Sequence, residues 1–201
     1  MLEARDLTCA RGERALFSHL NLTVSGGQCL HVRGANGVGK TSLLRLLAGL
    51  AKPDVGAVLF SGNDIHQSSE AYRRQALFLG HRDALKEDLT ALENILMYAA
   101  LDGVALSIEQ ALVPLWRFGL KGREDLPVHC LSAGQKKRVL MARIATRKAQ
   151  LWILDEPFNA LDVGAVQILG DLITDQLQDG GLVVLTSHQE LFLPDLLVLD
   201  L

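Results

Sequence analysis

Residues 31–50 read HVRGANGVGKTSLLRLLAGL, and the fold follows from how this stretch divides. An apolar run ends at Arg33, a glycine-rich turn follows, and a leucine-rich helical pattern begins at once. The pattern G-x-x-x-x-G-K-T spans Gly34 to Thr41. It lies between a strand and a helix, the setting a phosphate-binding loop requires. Gly34, Gly37 and Gly39 let the loop curl so that its N–H groups face inward onto phosphate, with Ala35, Asn36 and Val38 between them. Lys40 is placed for the β- and γ-phosphates, the Thr41 hydroxyl for Mg²⁺, and Ser42 for a further phosphate contact.

The matching acids lie in QLWILDEPFNALD, residues 150–162. An apolar strand there ends in two adjacent carboxylates. Asp155 is expected to hold Mg²⁺ through water, and Glu156 to polarise an attacking water. Together the two motifs specify binding or hydrolysis of a nucleoside triphosphate, and nothing narrower.

A second anion site is suggested by LSAGQKKR, residues 131–138. Ser132 stands at a helix start, before Ala133 and Gly134, where unpaired N–H groups and the helix dipole suit a phosphate. It lies 92 positions (132 − 40) from the lysine of the first loop.

Around these motifs the chain reads as α/β. Short runs rich in Leu, Val and Ile at 20–24, 29–33, 57–60, 76–79, 151–154, 182–186 and 197–199 predict strands. Several are apolar on both faces, which fits a mostly parallel sheet covered on both sides. Helical patterns occupy 41–50, 90–101, 108–118, 133–146 and 163–178. Residues 85–127 carry two helical patterns and no convincing strand, so they predict a helical insertion, with 1–84 and 128–201 forming the core of a single domain. Strand order does not follow from sequence.

Composition sets bounds. The chain has 201 residues, a net charge of −3 and 5% aromatic residues, which disfavours a nucleic-acid partner. Cys9, Cys29 and Cys130 are odd in number and scattered, predicting reduced thiols. The longest apolar stretch, residues 89–106, is broken by Glu93, Asn94 and Asp102, and the N-terminus has no apolar signal region. The expectation is a cytosolic chain.

Taken in order, LSAGQ before a helix, the strand ending Asp155-Glu156, Asn159-Ala160-Leu161-Asp162, and Thr186-Ser187-His188 resemble the ATP-binding subunits of ABC transporters. The resemblance runs nearly end to end. It implies an ABC ATPase fold: a P-loop core with a mostly parallel sheet, a small antiparallel β part and a helical subdomain. ATP is the substrate it implies and Mg²⁺ the cofactor. It also implies a head-to-tail dimer of two copies, in which Leu131, Ser132, Ala133, Gly134 and Gln135 of one face the ATP held by the other. Asp162 would communicate between the two sites. His188, 32 residues (188 − 156) past Glu156, would contact the γ-phosphate and help hold the water.

LEARDLTCARGERALF at 2–17, LFLGHRDALKEDLTALENI at 77–95 and LWILDEPFNALD at 151–162 resemble one family more closely. It comprises the ATP-binding subunits of the haem exporter for cytochrome c maturation. That resemblance implies integral membrane permease partners, a peripheral position on the cytoplasmic face of the bacterial inner membrane, and haem passed to a periplasmic chaperone. The chain ends 13 residues (201 − 188) after His188, which leaves no room for an added regulatory domain in this reading. Other exporters of small substrates, a soluble ABC ATPase without a transport role and a non-catalytic ATP-binding module stay open as alternatives.

Two positions depart from the general ABC pattern. Where an aromatic residue usually stacks on adenine, this chain has Arg11, whose planar guanidinium is able to stack on a base, and its first aromatic is Phe17. Where a glutamine usually senses Mg²⁺ and the membrane partner, it has His81, and no glutamine falls between Gln75 and Gln110.

Overall fold

The computed structural model describes residues 1–12, 14–80, 84–189, 193 and 195–201. It opens with two long antiparallel strands, β1 (Leu2–Arg11) and β2 (Arg14–Val24). Leu2, Ala4 and Leu7 of β1 are buried, and the break in strict alternation coincides with Asp6 at φ +52°. The register shifts there, so the extra residue keeps Leu7 on the inner face. β3 (Cys29–Arg33) then leads through the phosphate-loop sequence into α1 (Lys40–Leu47).

The chain continues as β4 (Val55–Phe60), β5 (Asn63–Asp64), α2 (Ser69–Gln75) and β6 (Ala76–Leu79). Next come α3 (Ala91–Leu101), α4 (Ile108–Arg117) and α5 (Ala133–Thr146). The last elements are β7 (Leu151–Leu154), α6 (Val163–Gln178), β8 (Leu182–Thr186) and β9 (Leu196–Asp200).

The strands form two sheets, an antiparallel one ordered β2-β1-β4-β5 and a parallel one ordered β6-β7-β8-β3-β9. This is the α/β arrangement expected, a parallel sheet with a small antiparallel part and a helical part. The strands predicted at 29–33, 76–79, 151–154 and 182–186 have those limits in the structure. β1, β5 and α2 were not predicted, and β2 begins six residues (20 − 14) before the predicted 20.

Contacts divide the chain into two compact units. The first comprises Met1–Gly80, Ala149–Pro157 and Ile173–Leu201. Its core joins the inner faces of both sheets to α1. Leu43, Leu44 and Leu47 of α1 pack with Leu30 and Val32 of β3, Val184 of β8, and Leu2 and Val58 of the antiparallel sheet. Each such side chain contributes about 1.5–3 kcal/mol by leaving water, which anchors the helix that begins at Lys40. Tyr72 of α2 closes one side of this core, its hydroxyl donating to the Leu47 carbonyl and its ring edge-on to Phe60 at 5.4 Å.

The second unit comprises His81–Lys148 and Phe158–Leu172. Within it α3, α4 and α5 pack on one another around Ile95, Leu115, Phe118 and Leu140, all fully buried. Asn94, also fully buried, donates to the Lys86, Leu89 and Thr90 carbonyls and accepts from the Lys86 amide. A buried amide side chain with its groups paired is a rigid fastener. Here it ties the segment before α3 to that helix.

Candidate functional site

In the first unit, the phosphate loop is shaped by what its glycines permit. Gly34 has φ +141°, and a Cβ there would stand 2.8 Å from the Leu201 carbonyl oxygen and 2.9 Å from Val38 Cγ1. Gly39, which caps α1, has φ +125°, and a Cβ there would meet the Leu16 Cβ at 3.1 Å and the Phe17 ring at 3.3 Å. Only glycine combines those backbone angles with that proximity. Lys40 is buried, and its ammonium donates to the Gly34 carbonyl at 2.7 Å and the Ala35 carbonyl at 3.3 Å. The first N–H groups of α1, at Lys40, Thr41 and Ser42, have no intrahelical partner and offer an anion three donors.

Strand β7 delivers the acids. Asp155 is buried, its amide donating to the Leu79 carbonyl at 2.8 Å, so the neighbouring strand fixes its backbone. The Thr41 hydroxyl donates to Asp155 Oδ2 at 2.8 Å, and the Thr186 hydroxyl donates to Oδ1 at 2.8 Å. Thr186 Oγ1 also accepts from the Glu156 amide at 2.8 Å. Glu156 has φ +50°, a conformation that costs a residue with a side chain roughly 1–3 kcal/mol and is held by its surroundings. Its carboxylate is 11% exposed and lies 3.4 Å from His188 Nε2, whose side chain is 56% exposed.

These contacts gather Lys40, Thr41, Asp155, Glu156 and His188 at the C-terminal edge of the parallel sheet. Thr41 Oγ1 and Asp155 Oδ2 lie 2.8 Å apart, a pair of hard oxygens that fits Mg²⁺. That ion takes one or two protein oxygens and fills its remaining positions with water and phosphate.

The second unit holds the signature segment. Leu131 is buried, and Ser132 caps α5 in a reciprocal box: the Gln135 amide donates to Ser132 Oγ, and the Ser132 amide donates to Gln135 Oε1 at 2.9 Å. The serine hydroxyl proton and the amides of Ala133 and Gly134 stay available as donors. A Cβ on Gly134 would approach the Ala160 carbonyl oxygen at 3.4 Å, so the signature packs beside the segment that carries Asp162.

Asp162 caps α6 by accepting from the Ala165 amide at 2.9 Å, and it pairs with Arg138 of α5. The Ala165 amide, with Arg138 adding to it, holds the Asp162 carboxyl below its usual value. Lys136 pairs with Glu87 at 2.8 Å, and that hydrogen bond likewise lowers the glutamate.

One sequence-derived position is not joined to these clusters among the described residues. Arg11 is exposed at the end of β1, in register with Arg14, whereas the aromatic ring lying on the phosphate loop is that of Phe17. His81 lies outside the described residues. Two residues not assigned roles from sequence tie the cluster together by hydrogen bonds. Thr186 bridges the two acids, and His31 reaches from β3 to the Ser187 carbonyl at 3.0 Å. Thr186 stood in a quoted motif, but its role depends on strand pairing that sequence does not reveal.

A protein-family model described as ABC transporter matches residues 17–159. The cytochrome c biogenesis ATP-binding export protein CcmA of Dechloromonas aromatica is 48% identical over 194 residues, 96% of this chain and 95% of that protein. The protein of the same name from Escherichia coli K12 is 48% identical over 191 residues, 95% of this chain and 90% of its own. A solved ATP-binding subunit of an ABC transporter superposes with a TM-score of 0.83 at 29% identity, covering 93% of this chain and 79% of that one. The dimeric post-hydrolysis ATP-binding cassette MJ0796, bound to ADP and Pi, superposes with a TM-score of 0.83 at 25% identity, covering 94% of this chain and 88% of its own.

Proposed function

The chain belongs to the ABC transporter family of ATP-binding proteins, and from that premise we propose that it is the ATP-hydrolysing subunit of an export complex in cytochrome c biogenesis. Haem export, or release of a haem-loaded chaperone, is the work it powers. The observation that carries the reading is the meeting of Thr41 with Asp155 and of Glu156 with His188 beside one phosphate loop. The near full-length similarity to export proteins of cytochrome c biogenesis supports the choice of system.

In this reading the residues divide the labour by their chemistry. Lys40, resting on two carbonyls of its own loop, turns its charge to the β- and γ-phosphates, which are stronger acceptors. The backbone amides of residues 34–42 and the Ser42 hydroxyl complete the cradle. Thr41, and Asp155 through water, would hold Mg²⁺, which when bound would neutralise phosphate charge. Glu156 accepts the proton of the attacking water, and His188 orients that water and the γ-phosphate. Arg11 stacks on the base.

Two copies close head to tail, so that Leu131, Ser132, Ala133, Gly134 and Gln135 of one meet the ATP of the other and Asp162 links the two sites. The dimeric state of the similar cassette MJ0796 supports the pairing of two copies. His81 is assigned the coupling of ATP turnover to the permease subunits. No helix among the described residues is long and apolar enough to cross a membrane. In this reading the chain acts on separate membrane subunits, from the cytoplasmic face of the bacterial inner membrane.

The test is a pull-down of the full chain from detergent extracts, followed by ATPase measurement on what it retains. Integral membrane partners and ATP turnover are expected together. A chain that hydrolyses ATP but retains only soluble partners would overturn the transport assignment.

A further inference from the structure

His31 is the polar residue in the middle of an otherwise apolar strand. β3 reads Cys-Leu-His-Val-Arg, its first four residues are buried, and His31 is 4% exposed. An imidazole placed there without a partner would be costly. Its Nε2 lies 3.0 Å from the Ser187 carbonyl, and since a carbonyl only accepts, Nε2 carries the proton and donates it. The register explains the reach. His31 pairs with Leu185 of β8 and shares that residue's face of the sheet, and the ladder's last pair is Val32 with Thr186. The Ser187 carbonyl lies one residue beyond that pair, and the His31 side chain extends the tie between the strands to it.

We propose that His31 is a positioning residue for His188. The Ser187 carbonyl and the His188 amide belong to one planar peptide unit. Holding that oxygen fixes the plane from which His188 departs. The same turn is tied from its other side, where Ser187 Oγ accepts from the Gln189 amide at 2.9 Å. His188 itself is 56% exposed, so among the described residues its aim towards Glu156 at 3.4 Å rests largely on its backbone. A buried side chain from the strand that feeds the phosphate loop thus sets the direction of the histidine that faces the reaction. That hydrogen bond carries the register of the β3–β8 ladder one residue further, to the turn that bears His188.

This inference rests on the proposed role of His188, and the test separates the two. Full-length His31→Leu, His31→Gln and His188→Ala variants, and the His31→Leu/His188→Ala double variant, are assayed for ATP turnover in the complex retained from detergent extracts. Binding is followed with a fluorescent ATP analogue, and folding by thermal melting. Glutamine places an N–H donor where the imidazole Nε2 stands, and leucine does not.

His31→Leu is expected to lower kcat roughly 10-fold or more, with KM for ATP moved by less than about 3-fold. His31→Gln restores most of that loss. In the His188→Ala background, His31→Leu adds less than about 2-fold, because the residue it positions is gone. A loss with His188→Ala and none with His31→Leu overturns the inference and leaves the catalytic reading standing. Equal defects with leucine and glutamine, or an undiminished His31→Leu effect in the His188→Ala background, also overturn it. Full turnover by His188→Ala overturns both.

Discussion

At Thr186 one hydroxyl donates to Asp155 and accepts from the Glu156 amide, so it holds the side chain of one acid and the backbone of the next. Thr186→Val keeps the shape and removes both bonds. The Glu156 amide, already in a strained conformation, would lose its acceptor at a cost of about 1–3 kcal/mol. Turnover is expected to fall roughly 10-fold or more while ATP binding persists; unchanged turnover would show that the acids need no such tie. Lys40→Ala should behave oppositely and abolish ATP binding, because the phosphates lose their point charge. Glu156→Gln keeps the shape of the side chain and loses the base. Binding should survive, with hydrolysis reduced roughly 10²–10³-fold, and a turnover near wild type would remove Glu156 from the mechanism. Much of this site was readable in sequence because each motif is contiguous. The bonds that join the motifs were not, since Thr186 meets Asp155, and His31 meets Ser187, only after the strands pair.

Among the elements, α3, α4 and α5 start alike. Thr90 with Glu93, Ser107 with Gln110, and Ser132 with Gln135 form three reciprocal capping boxes. The S/T-x-x-E/Q pattern was present in the sequence and would have fixed all three starts. β1 escaped prediction for the opposite reason. Its charged residues Glu3, Arg5 and Asp6 interrupt the apolar pattern, and the bulge at Asp6 breaks the period of two that marks a strand. β5 and α2, at two and seven residues, are too short to show a period.

The box at α5 gives Ser132 two separable duties. Ser132→Ala removes the cap, worth about 1 kcal/mol, and should lower Tm by about 2–4 °C for a chain of this size. Ser132→Arg should leave ATP binding by a single chain near normal and block closure of the dimer. Loss of single-chain binding as complete as that of Lys40→Ala would place Ser132 in its own chain's site instead of its partner's.

For the whole molecule, the three thiols report on closure. Cys130 is exposed and directly precedes Leu131, Cys9 is half-buried, and Cys29 is buried with its thiol pushed up to about 12 by desolvation. The Cys9 thiol is raised by burial first and by the nearby Asp54 second. Since the thiolate is the species that reacts, alkylation at pH 8 should modify Cys130 first, Cys9 slowly and Cys29 only on unfolding. In Glu156→Gln with Mg-ATP, Cys130 should become protected as the protein elutes at the size of a dimer. Reaction of Cys130 at an unchanged rate in a sample that remains monomeric would sink the head-to-tail arrangement.

The position of β3 between β8 and β9 has a consequence for biosynthesis. Cys29 pairs with Val183 and Leu196, so β3 is made early and paired late. Translation at about 5–20 residues per second takes roughly 8–30 s to cross the 154 residues (183 − 29) that separate the first pair. Through that interval a nascent chain carries the complete phosphate-loop sequence without the strands that seat it. Nucleotide capture therefore waits for β8 and β9, and a ribosome stalled before β8 would present a chain blind to ATP.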